Sequence, residues 1–308
     1  MYMKLKMVRS IILSALILSL VGCQALEGSS QGKTKSPKIE KSEPLTEEEY
    51  EVTVSETSQE FYKELTEMLT KLMETKTVDD EMHNWLIEKV NNMQNLSNKV
   101  LALTPPSSYE KVDNYYKDSM NEFQIYLKGF QKGLEKKDLS LVKDVYENSL
   151  KGEQLLNHAN ALLSLTYDIP VGDGTITSAD LKALDKNAGI DRDSVLLHVS
   201  EDGKELSGKW GTRKEDGTLT ISIVLNEDGS YEGYGNGEYP DQSNVMKGTW
   251  KYEFLTHTIH FTNDEVYKNG SLTESPRPTM KMDLQSFKNG KIQLFDLETG
   301  RTFPYEKE

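Results

Sequence analysis

The spacing of apolar residues changes along this chain, and that change constrains the fold more than any other feature. From Thr46 to about Thr166, apolar side chains recur every three or four residues, which is the period of one helix face. From Val195 onward they alternate with polar residues, as in strands that bury one face. The sequence therefore predicts an α+β protein, in which an N-terminal antiparallel helical bundle precedes a C-terminal antiparallel β-barrel.

Four amphipathic stretches with short links lie between residues 46 and 167 and predict a four-helix domain. Thr46 is expected to cap the first helix, Pro105–Pro106 must end the second, and Asp138 is expected to cap the fourth. Residues Tyr50–Val54 are rich in β-branched side chains, so this segment is open to a loop or strand as well as to a helix.

The segment from 195 to 308 contains four dipeptides that favour tight hairpin turns, because they tolerate positive φ. They are Asp216–Gly217, Asp228–Gly229, Asn269–Gly270 and Asn289–Gly290. The alternating runs between them predict about eight short strands. Hairpin links and one buried face per strand imply an antiparallel sheet that closes on itself.

A connector, residues 168–194, joins the two halves. Its segment Asp173–Asp180 resembles the second half of the calcium loop in dockerin and EF-hand repeats, but Ile169 and Val171 occupy the first ligand positions and cannot coordinate calcium. The alternative is a glycine turn that leads into a short helix running to about Ala188.

The first 22 residues have the organisation of a secretory signal peptide: basic residues, a short apolar run and small residues before a cleavage point. The apolar run, Ile11–Leu20, is far shorter than the ~20 residues that a membrane-spanning helix needs. We therefore expect removal of residues 1–22 during export.

The segment Leu20-Val21-Gly22-Cys23 resembles the lipobox of bacterial lipoproteins. The resemblance implies cleavage before Cys23 and attachment of diacylglycerol to its sulfur, which places the protein at the cell membrane, lipid-anchored on the extracytoplasmic face. Residues 23–45 would then form the lipid anchor and a flexible tether, since they are rich in Gly, Ser and Pro. The alternative is an ordinary signal peptide with an incidental cysteine.

Three segments of the β half resemble small bacterial lipocalin-like modules: Leu206–Gly211, Leu225–Tyr231 and Gly248–Tyr252. Together with the lipobox, they make the chain similar to Gram-positive lipoproteins with a helical domain and a C-terminal lipocalin-like domain of unknown function. The lipocalin arginine that stacks late in the chain on the tryptophan of the first strand is not evident here.

The resemblance implies a barrel over residues 195–308 that binds a small apolar ligand or an envelope protein or glycan. Aromatic residues near the matching segments are the candidate ligand-binding residues: Trp210, Tyr231, Tyr234 and Trp250. The alternative for the two tryptophans is that they close the core of the barrel.

Several classes of site are excluded or disfavoured. The single Cys excludes a disulfide scaffold and paired-cysteine zinc sites, and a net charge of −14 argues against nucleic-acid binding. His257 and His260 lie three apart in a strand-like run and would point to opposite faces, so we expect no shared metal ion. No cofactor motif is present.

Two functional hypotheses follow. The first is a non-catalytic binding or interaction module, because no nucleophile elbow, phosphate loop or zinc-protease motif is present. The alternative is an enzyme that acts on envelope glycan or lipid with acid/base carboxylates. Such an enzyme would need two carboxylates facing one cleft, one of them desolvated.

Overall fold

The computed structural model describes residues 44–75, 78–171, 175–235 and 239–308. The predicted signal peptide, Cys23 and nearly all of the tether lie outside these residues. The chain divides into two compact units, one ending at Asp180 and the other running from Leu181 to Glu308.

The predicted helical bundle is confirmed. Its four long helices are α1 (Glu47–Glu74), α2 (Asp80–Ala102), α3 (Glu110–Glu135) and α4 (Tyr146–Leu163). Short 3₁₀ helices, Ser107–Tyr109 and Leu139–Val145, precede α3 and α4, and Asp138 caps the second of them through the Ser140 amide. Within the described parts of the chain, no helix is both long and apolar enough to cross a bilayer.

Helix α1 includes Tyr50–Val54, so the loop or strand alternative for this segment is wrong. A capping box explains the result, because Thr46 and Glu49 each accept from the other's backbone amide. Tyr50 and Val54 are fully buried on the inner face of α1, and the Tyr50 hydroxyl donates to the Asp113 carboxylate over 3.1 Å. Capping and burial together override the β-branched composition.

The connector contains the predicted short helix: α5 spans Ser178–Asn187, after the small pair β1 (Pro170–Val171) and β2 (Ile176–Thr177). Asp180 accepts from the Thr177 amide over 2.9 Å, an interaction that stabilises the helix start. Asp173, at the centre of the calcium-loop prediction, lies outside the described residues. Helix α6 (Arg192–His198) then leads into the β half.

The β half forms a closed antiparallel barrel, as predicted. Its strands are β3 (Gly208–Arg213), β4 (Leu219–Leu225), β5 (Ser230–Gly233), β6 (Met246–Glu253), β7 (Thr258–Lys268), β8 (Ser271–Thr273), β9 (Thr279–Lys288), β10 (Lys291–Asp296) and β11 (Thr302–Lys307). Eight of them form a ring in sequence order, β3-β4-β5-β6-β7-β9-β10-β11, and β11 returns to pair with β3. The remaining strand, β8, pairs with β7 outside the ring.

A β-bulge between β6 and β7 brings two backbones unusually close at Gly248. The register there shifts, since Gly248 pairs with Asn263 while its neighbour Lys247 pairs with Glu265. A Cβ atom at Gly248 would overlap the carbonyl oxygen of Thr262. Only glycine fits this position without moving the main chain.

The inward side chains of the barrel pack into one apolar cluster. Its buried members include Trp210, Leu225, Tyr231, Trp250, Tyr252, Ile259, Phe261, Met282, Leu284, Ile292 and Leu294. Val195 and Val199, from α6 and the residue after it, belong to the same cluster. Segments outside the ring thus complete the core of the barrel.

Candidate functional site

Trp210 belongs to the barrel core and has no exposed surface. Its indole Nε1 donates to the carbonyl oxygen of Leu206 over 2.6 Å, which ties the first ring strand to the 3₁₀ helix Lys204–Leu206 before it. The Lys307 ammonium lies 5.2 Å from the centre of the indole ring and donates to the Glu205 carbonyl over 2.9 Å. Trp210 therefore contacts residues from both the first and the last part of the barrel segment.

Lys307 contacts the Trp210 ring, and a sequence prediction that looked only for a late arginine missed it. The contact arises because β11 closes the ring against β3, where Lys307 pairs directly with Trp210. A search for any cation in the last strand, rather than for arginine alone, would have found this residue.

Tyr231 and Trp250 lie in the same core as Trp210. The Tyr231 hydroxyl donates to the Asn263 side chain, and burial raises the pKa of this tyrosine well above its usual value. Trp250 is 9% exposed, and its indole nitrogen donates to the Asn226 carbonyl over 2.9 Å. Both side chains have their polar atoms satisfied within the protein.

Tyr234 is not part of this cluster. It follows β5, where Gln242 donates to its hydroxyl over 2.8 Å and the Tyr239 ring packs edge-on at 5.2 Å. The structure thus brings three of the four predicted ligand residues together and leaves the fourth apart. The assignment of ligand binding to these residues stays a prediction.

The central part of the barrel interior is filled by side chains. Trp210, Ile259 and Leu284 expose no surface to a water-sized probe, and Leu294 exposes 1%. A side chain that borders a water-sized cavity would expose surface to it, so these residues border none. A ligand could reach them only by displacing side chains.

A buried ion pair lies where β10 ends. Asp296, 1% exposed, forms two hydrogen bonds with the guanidinium of Arg277, at 2.6 and 3.0 Å. It also accepts from the backbone amides of Glu298 and Thr299. The arginine is the main reason that the pKa of Asp296 lies well below its usual value. This carboxylate is held charged, which suits a structural role and not that of a general acid.

An open cleft of about 400 Å³ lies on the outer wall of the barrel, between β6 and β7. It is lined by Thr249, Trp250, Lys251, Glu253, His260 and Thr262. Glu253 and His260 contact each other through Oε2 and Nε2 at 2.9 Å.

The two histidines considered above face different environments. His257 precedes β7 and is buried, with its Nδ1 2.9 Å from the Tyr252 hydroxyl, whereas His260 lines the outer cleft. Among the described residues, no group of three or more His, Cys, Asp or Glu side chains is arranged to hold a metal ion.

Comparison with known proteins identifies one part of the chain. No curated protein and no solved structure matches it. Residues 171–294, which include α5, α6 and the barrel as far as β10, match DUF3994, a domain of unknown function.

Proposed function

We propose that this chain is a lipoprotein anchored on the extracytoplasmic face of the membrane through acylated Cys23, and that its barrel is a non-catalytic binding module. In this proposal the barrel presents its outer wall to an envelope partner. The binding mode is supported by the packing around Trp210, Ile259 and Leu284, which border no water-sized cavity. A barrel packed in this way has its outer surface and loops free for recognition. The lipobox-like Leu20–Cys23 carries the anchoring part.

The arrangement of the carboxylates supports a binding module over an enzyme. Among the described residues of the barrel, two carboxylates are buried, those of Asp283 and Asp296, and each forms two hydrogen bonds with an arginine. The outer cleft contains one carboxylate, that of Glu253. Acid/base catalysis by a carboxylate pair requires two such groups in one cleft with separated pKa values.

Membrane anchoring through the cysteine predicts that Cys23→Ser abolishes lipid attachment. Intact-mass spectrometry of the wild-type protein should show loss of residues 1–22 and a gain of diacylglycerol, because the thioether forms only on the cysteine sulfur. The variant should keep its full N-terminus and carry no lipid. Ser29→Ala is the matched control and should remain lipidated. A lipidated Cys23→Ser variant would contradict the anchoring proposal.

The filled barrel predicts that the protein carries no small apolar molecule. Native mass spectrometry of the full chain with Cys23→Ser should give the mass of the polypeptide alone, before and after organic extraction. The Cys23→Ser background removes the anchor lipid as a source of extra mass. An additional mass that organic extraction removes would instead favour a ligand enclosed by the barrel.

A further inference from the structure

The outer wall of the barrel carries an ordered grid of polar side chains across β6, β7 and β9. On β6, Thr249, Lys251 and Glu253 alternate with the core residues Trp250 and Tyr252, so they face outward. The strand register then defines rows across the three strands. One row is Thr249, Thr262 and Thr279, and the next is Lys251, His260 and Lys281.

The second row places a lysine on each side of a histidine. Lys251 and Lys281 flank His260 on either side, and neither lysine forms an ion pair within the described residues. This arrangement is unexpected in a chain with a net charge of −14, where carboxylates outnumber basic residues by 50 to 36.

Two other cations of the barrel share a carboxylate. Glu306 of β11 contacts Lys291 of β10 at 2.8 Å and Arg213 of β3 at 2.9 Å. The lysine–histidine–lysine row lacks such a partner for its two lysines, so an anion from outside the chain would complete it.

The cleft beside this row offers both kinds of polar group that a phosphorylated polyol needs. Lys251, His260 and the threonine hydroxyls can donate to phosphate oxygens. Glu253 can accept from a hydroxyl group, and its carboxylate already orients His260. The cleft has a volume of about 400 Å³ and is open to solvent, so a ligand can reach these groups without displacing side chains.

We propose that this cleft binds the phosphate ester of a polyol or sugar, with the phosphate against Lys251, His260 and Lys281 and a hydroxyl group against Glu253. The source is a soluble ester and not a bilayer headgroup, because an acidic protein is repelled by an anionic membrane surface. The inference deepens the proposed function by naming the chemistry of the partner, and it rests on the binding role of the outer wall.

Calorimetric titration of the full chain in non-ionic detergent tests the proposal, with sn-glycerol 3-phosphate as the probe. We expect saturable binding that weakens as salt rises. Lys251→Ala with Lys281→Ala should weaken it roughly tenfold or more, since two charge-assisted contacts are lost. The double variant Lys268→Ala with Lys288→Ala removes the same charge from exposed positions outside the cleft and should bind as the wild type does.

Three further results separate the parts of the proposal. Glu253→Gln should reduce the preference for glycerol phosphate over inorganic phosphate, and equal affinity of the wild type for both probes would overturn the polyol assignment. Tighter binding of short-chain dihexanoyl phosphatidylglycerol than of glycerol phosphate would overturn the non-lipid source. Absence of binding, or equal losses in both lysine double variants, would overturn the site. None of these titrations depends on lipidation, so their failure is distinguishable from failure of the anchoring proposal.

Discussion

Replacement of Gly248 by Ala is expected to destabilise the barrel by about 3 kcal/mol or more. The new methyl group would overlap the carbonyl oxygen of Thr262 and lie 3.1 Å from the backbone nitrogen of Asp264. Both atoms belong to the main chain of a bulged strand, so side-chain rotation cannot relieve the overlap. Chemical denaturation of the wild type and the variant, followed by near-UV circular dichroism, measures the difference.

Gly235→Ala is the matched control for this prediction. Gly235 lies shortly after β5 in the same half of the chain, and a Cβ atom there would meet nothing within 4 Å. Its replacement should change the free energy of unfolding by less than about 0.5 kcal/mol. Equal stability of the Gly248→Ala variant and the wild type would show that β6 and β7 do not approach each other as described.

Asp296→Ala is expected to cost about 3 kcal/mol in the free energy of unfolding. The substitution removes the carboxylate from a pair in which the aspartate side chain is 2% exposed and the arginine side chain 26% exposed. Arg277 would lose its buried partner, and two backbone amides would lose their acceptor. Breaking a buried pair by removal of one member costs ~3–5 kcal/mol, and the partial exposure of Arg277 places this case at the low end.

The Glu298→Ala variant tests whether the loss of stability depends on the burial of the carboxylate or only on the loss of one negative charge. Glu298 also contacts Arg277, at 2.6 Å, but its side chain is 68% exposed. Its removal should cost at most about 1 kcal/mol, as for other exposed ion pairs. Equal effects of the two substitutions would contradict a specific role for the buried pair.

The pH dependence of the Asp296 variant has a defined sign. Folding lowers the pKa of Asp296 below its usual value of about 3.9, so its carboxylate stabilises the fold fully above that pH. This contribution is lost as the pH falls toward the lowered folded value. The stability difference between wild type and Asp296→Ala should therefore be constant near neutral pH and shrink below about pH 4. A difference that grows in acid would contradict the pairing with Arg277.

Local sequence signals were sufficient for the architecture. The period of the apolar residues separated the helices from the strands, and two of the hairpin dipeptides lie at the tight turns β7–β8 and β9–β10, where Asn269 and Asn289 have positive φ. The capping pair Thr46 and Glu49 likewise acts within one helical turn. These signals were predictable because each depends on residues that are neighbours along the chain. The ambiguous Tyr50–Val54 shows the limit, since burial against other helices decided it.

Features that depend on strands meeting across the ring were beyond sequence reasoning. The Lys307 ammonium donates to the backbone carbonyl of Glu205, which lies 102 residues earlier in the sequence. The two residues meet because β11 closes on β3. Among the predicted ligand residues, strand alternation was sufficient to predict that Trp210 and Trp250 face inward. It could not predict how completely side chains fill the interior around them.

The sequence by itself determined the order of helices and strands, the positions of the turns and the lipobox-like motif. The tertiary structure alone decided that side chains fill the barrel interior around Trp210, that Arg277 pairs with a buried Asp296, and that Lys251, His260 and Lys281 form one row beside a cleft. The physical reason is that periodicity, capping and turn preference act over a few residues. Strand register and side-chain packing instead depend on which distant segments meet when the ring closes.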